Sequence, residues 1–236
     1  MMLELDDIAG PVLVVAPHPD DETLGCGGLI AALTQRGIVV HTVFVTDGGA
    51  SHRNSAQWDR GRLASLREEE AAAALAQLGA GAQPRSFMRL HDAAMPAAGT
   101  PAHDLALAQA KALIDDLVPS HAILPWRRDP HCDHCDAWSL FTMALRQTGR
   151  QIEVLEYTIW LDEFGSPADF PTAGEVEQLE LDITANLAAK RRAIAEHRSQ
   201  LGQVIPDDPE GFYLKQATLD RLIKPTESFW RAWSEQ

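Results

Sequence analysis

The sequence predicts an α/β fold, a Rossmann-like, mostly parallel sheet with helices on both faces. Short apolar runs rich in branched residues, at 11–16 (PVLVVA), 38–45 (IVVHTVFV) and 121–125 (HAILP), alternate with helical stretches. That alternation builds parallel sheets covered on both faces, whose strands are apolar throughout. Polar, chemistry-bearing residues also crowd directly behind two of these runs. In sheets of this class ligands sit beyond the carboxyl ends of the strands.

Taken in order, residues 11–16 read as a buried strand and 25–35 (GCGGLIAALTQ) as a helix of small residues. Residues 38–45 form a second strand, ending at the turn Asp47-Gly48-Gly49. The polar segment 51–60 has no period and reads as a loop. A helix over 61–78 is stopped by Gly79. A short strand at 86–90, a helix at 104–117 and the strand at 121–125 follow, then a helix at 137–147. Residues 151–160 are extended, 177–183 alternate as a strand does, and 185–197 is an alanine-rich helix. From 207 onward, proline and aromatics leave no legible period. Without internal repeat or low-complexity linker, the expectation is one domain over 1–236.

The chain's 236 residues suffice for a sizeable core. Its 45% hydrophobic and 23% charged residues lie near the averages of about 45–50% and about 25%, which excludes a disordered chain. Twenty Lys+Arg against 34 Asp+Glu leave a net charge of −14, and a field of that sign repels nucleic acid. The N-terminus lacks the positive region and apolar run of a secretion signal. No apolar run approaches the ~18 residues of a membrane span. Three cysteines make no disulfide framework. The expectation is a cytoplasmic protein, and a homo-oligomer is compatible with it.

Directly behind the first strand, His18-Pro19-Asp20-Asp21-Glu22 gathers one imidazole and three carboxylates. A helix N-cap explains one aspartate, but leaves His18 and the crowding of like charges unexplained unless a cation is present. Zinc takes imidazole nitrogen and carboxylate oxygen and keeps a position for water in catalytic sites. His18 and Asp21 could converge on one ion, with Asp20 elsewhere in the same cavity; spacing alone does not say which aspartate binds. Gly25-Cys26-Gly27-Gly28 fits neither the dinucleotide fingerprint nor the P-loop and reads as close helix–sheet packing.

The second cluster, Asp129-Pro130-His131-Cys132-Asp133-His134-Cys135-Asp136, follows the strand at 121–125. One of its histidines completes a two-His-one-Asp set with His18 and Asp21, and the other is free for acid or electrostatic work. Cys132-x-x-Cys135 also has redox or zinc-knuckle spacing, but no second cysteine pair exists to finish a structural site. Arg127 and Arg128, just upstream, hint at an anionic substrate moiety. On the helix over 61–78, Arg67 and Glu70 share the apolar stripe of Leu63, Leu66, Ala74 and Leu78. They form either a buried pair with each other, or Arg67 reaches a substrate oxygen.

The run Ala16-Pro17-His18-Pro19-Asp20-Asp21-Glu22 resembles the signature of the PIG-L/LmbE-like deacetylases, zinc enzymes acting on N-acetylglucosamine conjugates. Pro17 is a small extension of the usual Ala-His-Pro-Asp-Asp-Glu. The resemblance continues in Thr46-Asp47-Gly48, in Arg67-x-x-Glu70-x-x-x-Ala74-x-x-x-Leu78-Gly79 and in Asp129-x-His131-x-Asp133-His134. A last trace is Lys190-x-x-Ala193-x-x-x-His197-x-Ser199-Gln200. The resemblance implies zinc on His18, Asp21 and His134, with Asp20 as general base. It makes a protonated His131 the oxyanion's stabiliser, oriented by Asp133, and Arg67 and Asp92 substrate contacts. Cys132 and Cys135 depart from the family pattern. The implied reaction hydrolyses an N-acetyl group on a small-molecule amino-sugar conjugate. An amidase for a non-sugar amide and a non-catalytic binding protein are the alternatives; Asp20 and His131, which a metal does not require, speak against the latter.

Overall fold

The computed structural model describes residues 1–232. Seven strands form one sheet in the order β3-β2-β1-β4-β5-β7-β6. These are β1 (Val12–Ala16), β2 (Val40–Thr46), β3 (Arg85–Leu90), β4 (His121–Pro125), β5 (Glu153–Tyr157), β6 (Val176–Asp182) and β7 (Thr226–Ala232). The first five run parallel, with Val12 facing Val40 on one side and His121 on the other. The helices are α1 (Asp21–Gln35), α2 (Arg60–Gln77), α3 (Pro101–Leu117), α4 (Cys132–Thr148), the single turn α5 (Leu161–Phe164), α6 (Leu187–Glu196) and α7 (Gln216–Leu222).

Strand β1 alternates between two cores. Val12, Val14 and Ala16 pack under α1, α2 and α6, through residues such as Leu29, Ala74 and Ile194. Leu13 and Val15 face α3 and α4, through Ala110, Ile114, Leu140 and Phe141. Both faces are covered, as the apolar strands predict.

Helices α1 and α4 start earlier than the apolar period indicates. Helix α1 begins at Asp21 rather than 25, so the acidic motif occupies its first turn, where carboxylates are favoured by the helix dipole. Helix α4 begins at Cys132 rather than 137, with His131 as a side-chain N-cap. Helix α3 is opened by Thr100, whose hydroxyl accepts from the His103 N–H, and by Pro101 in its first turn. Gly79, at φ 78°, terminates α2 as expected. The tail contains α7 and β7, and β7 lies between β5 and β6, antiparallel to both. Its short, irregular apolar pattern carries no period of its own; pairing with two strands makes it a strand.

Strands β1, β2 and β3 succeed one another to one side, and β4 lies on the other side of β1. The switch point therefore falls between β1 and β4, the two strands whose carboxyl ends carry the histidine-rich clusters.

Candidate metal centre and active site

The turn after β1 places His18 at the switch point, and the cap of α4 brings His131 and His134 against it. The His18 ring centroid lies 4.7 Å from that of His131 and 5.5 Å from that of His134. Donor atoms of the three imidazoles fall within 4.8 Å of one another. Asp21 Oδ2 accepts the His18 backbone N–H at 2.9 Å. The same oxygen lies 3.1 Å from His18 Nδ1 and 3.3 Å from His134 Nε2. Donors bound to one tetrahedral zinc at 2.0–2.1 Å stand about 3.3 Å apart, so this spacing suits a shared ion.

The chemistry of the pocket fits a cation as well. His134 is 0% exposed, and neither ring nitrogen makes a hydrogen bond among the described residues. His18 Nε2 lies 3.0 Å from Asp133 Oδ2 and 3.5 Å from Asp92 Oδ1. Burial works against charge on His18, but Asp133, Asp21 and Asp92 together raise its pKa well above the ordinary value. Carboxylates that favour a proton there favour a metal ion in the same way. Behind His134, Asp129 Oδ1 stands 3.3 Å from Nδ1. The other Asp129 oxygen accepts the N–H groups of Ile159 and Trp160 at 3.1 and 3.0 Å.

Asp20 points into the same cavity and takes no part in the Asp21 cluster. Its backbone sits at φ 141°, ψ −29°, a region a non-glycine residue rarely enters. Such strain costs on the order of 1–3 kcal/mol and persists where the surroundings over-determine it. Burial pushes the Asp20 carboxyl up to about 6, with Arg67 opposing and Asp21 adding to the rise. Arg67 Nη2 stands 3.2 Å from Asp20 Oδ1. The Arg67 guanidinium also donates to the carbonyls of Gly48 (2.8 Å) and Pro19 (2.6 Å). Although it borders the cavity, Arg67 thus directs its donors mainly at the chain that carries Asp20. The alternative Arg67–Glu70 pair does not form: Glu70 accepts from the Ser199 N–H and hydroxyl at 2.8 and 2.6 Å.

His131 differs from its expected state. As N-cap of α4 it turns Nδ1 back to accept the Asp133 N–H at 3.2 Å. The Asp133 carboxylate is used elsewhere, by His18 and by the Ala93 N–H at 2.8 Å. Burial, with the neighbouring His18 and His134, pushes the His131 imidazole down to about 4. A neutral ring whose Nδ1 accepts must carry its proton on Nε2. His131 is therefore a neutral donor, oriented by the backbone rather than by the Asp133 carboxylate.

The cavity above these groups measures about 650 Å³. Asp92 borders it and accepts the Ala50 N–H at 2.8 Å. Its outer wall carries Trp160, Phe164 and Phe212, which the sequence reading did not single out. They lie in stretches without period, and only the docking of the C-terminal segment brings Phe212 to Trp160, with ring centroids 5.7 Å apart. That segment is tied to the loop after β2: Asp208 accepts the Asn54 N–H and Asp207 those of Ala56 and Gln57.

Arg127 and Arg128 are not available to an anionic substrate. Arg127 makes a two-pronged pair with Glu156 at 3.0 and 2.7 Å, and Arg128 one with Glu175 at 2.7 and 2.8 Å. The cysteines are thiols: burial, with Asp129, pushes Cys135 up to about 11, and burial, with Asp133, raises Cys132.

A doubly covered parallel sheet with such a histidine–carboxylate crevice at its switch point defines a class by architecture, the α/β proteins with a candidate metal centre at the strand ends. Comparison with known proteins narrows it. The family model described as PIG-L, GlcNAc-PI de-N-acetylase, matches residues 13–145, more than half of the chain. The chain is 32% identical over 262 residues to the 1D-myo-inositol 2-acetamido-2-deoxy-alpha-D-glucopyranoside deacetylase of Mycolicibacterium vanbaalenii, covering 92% of this chain and 89% of that protein. It belongs to the PIG-L family, and its activity is the metal-dependent hydrolysis of N-acetyl groups.

Among solved structures, N,N'-diacetylchitobiose deacetylase from Pyrococcus horikoshii matches with a TM-score of 0.67 at 22% identity, over 95% of this chain and 84% of that one. GalB, the 4-carboxy-2-hydroxymuconate hydratase from Pseudomonas putida KT2440, also reaches 0.67, at 19% identity over 97% and 98%. At these identities the likeness is one of fold. Since a deacetylase and a hydratase share it, side chains rather than backbone select the reaction.

Proposed function

We propose that this protein removes the acetyl group from an N-acetylglucosamine conjugate, using zinc held by His18, Asp21 and His134. One observation carries the assignment: a single Asp21 oxygen lies within 3.3 Å of nitrogens from two buried imidazoles, with Asp20 beside it and pointing into the cavity. The Nε2 side of His18 offers a second group, with Asp92 and Asp133. On the Nδ1 side, Asp21 Oδ2 links His18 to the His134 imidazole, a donor type that suits zinc.

An ion held there by His18, Asp21 and His134 would supply Lewis-acid chemistry, lowering the pKa of a water molecule and polarising the acetamide carbonyl. The protein's own groups supply the remainder. Asp20, with its carboxyl pushed up to about 6, accepts a proton from the attacking water and returns it to the departing amine. His131 donates its Nε2 proton as a hydrogen bond to the carbonyl oxygen as negative charge develops. Asp92 accepts a sugar hydroxyl at the cavity wall. The products are acetate and a free amine.

Acetate release measured with N-acetylglucosaminyl-inositol, with N,N'-diacetylchitobiose and with a simple N-acetyl amine tests the reading. Hydrolysis of a sugar substrate, lost with chelator and restored best by zinc, is the expected result. Equal turnover of the non-sugar amide would replace the deacetylase of amino sugars by a general amidase.

A further inference from the structure

We propose that Glu22 and His197 are positioning residues that clamp the general base; this rests on the reading of Asp20 as that base. The peptide unit joining Pro19 to Asp20 is gripped at both ends. Its carbonyl accepts from Arg67 Nη2 at 2.6 Å, and its N–H donates to Glu22 Oε2 at 2.9 Å. Glu22 is 0% exposed, and its other oxygen lies 3.3 Å from Nε2 of His197, itself 1% exposed at the end of α6. Neither residue borders the cavity, so neither reaches the substrate.

This pairing accounts for features that nothing else in the site uses. A fully buried carboxylate needs a countercharge or donors: Glu22 takes the Asp20 N–H on one oxygen, and its other oxygen has only the His197 imidazole 3.3 Å away, without a formed hydrogen bond. The peptide they hold is the one that places Asp20 at φ 141°. Released, the peptide would rotate toward an ordinary conformation and swing the Asp20 carboxylate off its line to the attacking water. A misplacement of about 1 Å costs about 10²-fold in rate. Glu22 of α1 and Arg67 of α2 thus hold one peptide bond directly, and His197 at the end of α6 faces Glu22 behind it.

The test is a mutant cycle in the zinc-loaded full chain. Glu22→Ala, Glu22→Gln and His197→Gln are made in the parent and in Asp20→Asn, and kcat, KM, bound zinc and Tm are measured. E22A should lower kcat about 10²-fold with KM and zinc content unchanged. E22Q keeps an acceptor for the N–H and should recover most of the loss. In the D20N background, E22A should lower kcat no further, because the group it positions no longer acts as a base. A loss of equal size in both backgrounds, near-parental turnover of E22A, or loss of zinc with E22A overturns the clamp. If E22A does not fold, H197Q carries the same comparison, expected to lower kcat in the parent and not in D20N. A D20N enzyme with near-parental turnover overturns the reading of Asp20 itself, an outcome separate from failure of the clamp alone.

Discussion

Asp129 is a single buried side chain placed to orient His134, the proposed ligand. One of its oxygens faces His134 Nδ1 at 3.3 Å, and the other anchors the Ile159 and Trp160 amides. A carboxylate beside that nitrogen favours the tautomer protonated there, which would leave Nε2 for a metal. Asp129→Asn should therefore weaken zinc binding about 10–100-fold, measured by competition with a chromophoric chelator. Unchanged affinity would show that His134 is not a ligand or needs no orienting partner. His131 lies three residues from His134 and, in the proposed mechanism, donates to the oxyanion instead of binding the metal. His131→Ala should keep zinc and KM while kcat falls about 10²–10³-fold. The sequence motif contains both histidines, but their division of labour depends on which ring caps α4 and which faces Asp21. That is a matter of side-chain direction, not of residue type.

At the scale of elements, the glycines of α1 set how closely the helix approaches its neighbours. A Cβ on Gly25 would come within 2.2 Å of the Tyr157 ring, and one on Gly28 within 2.4 Å of Ile183 Cγ2. The reading of this Gly-rich run as close packing agrees with these distances. Because α1 carries Asp21 and Glu22 in its first turn, its seating and the candidate metal centre are linked. Gly28→Ala should destabilise the fold by about 1–3 kcal/mol, read as a lowered midpoint in denaturant. A parental midpoint would mean that the contact is soft enough to yield. The early starts of α1 and α4 belong at this scale too. Polar motif residues hide a helical period, and only caps and backbone hydrogen bonds reveal the first turn.

Over the whole molecule, the last strand secures the first helix. Glu227 on β7 pairs with the buried Lys190 of α6 at 2.7 Å and accepts from the Gly28 and Leu29 N–H groups at 2.7 and 2.8 Å. Removing one partner of a buried ion pair strands the other without its countercharge. Glu227→Ala should cost about 3–5 kcal/mol, seen as a large fall in thermal or denaturant midpoint. A loss below about 1 kcal/mol would mean water reaches Lys190 and replaces the pair. No helix among the described residues is long and apolar enough to cross a membrane, in line with the sequence expectation on that point.

By itself the sequence determined the α/β class, the order of most strands and helices, and the residue types gathered at the candidate metal centre. It could do so because hydrophobic periodicity and turn residues are local signals, and because His18, Asp20 and Asp21 stand together in one short motif. What only the tertiary structure decided depends on contacts between distant segments. The placement of β1 beside β4 brings His18 to His134. The insertion of β7 between β5 and β6 gives a strand to a tail without period. Arg67 and Glu22 bond the Pro19–Asp20 peptide and His197 faces Glu22 from behind, so three separated motif fragments meet at the segment that carries Asp20. The same holds for Arg127 and Arg128: their neighbours in the chain suggest a role at the site, but Glu156 and Glu175, 29 and 47 residues away, occupy them. Charge pairing of that kind is set by the fold, since no local pattern says which oppositely charged residue will be near.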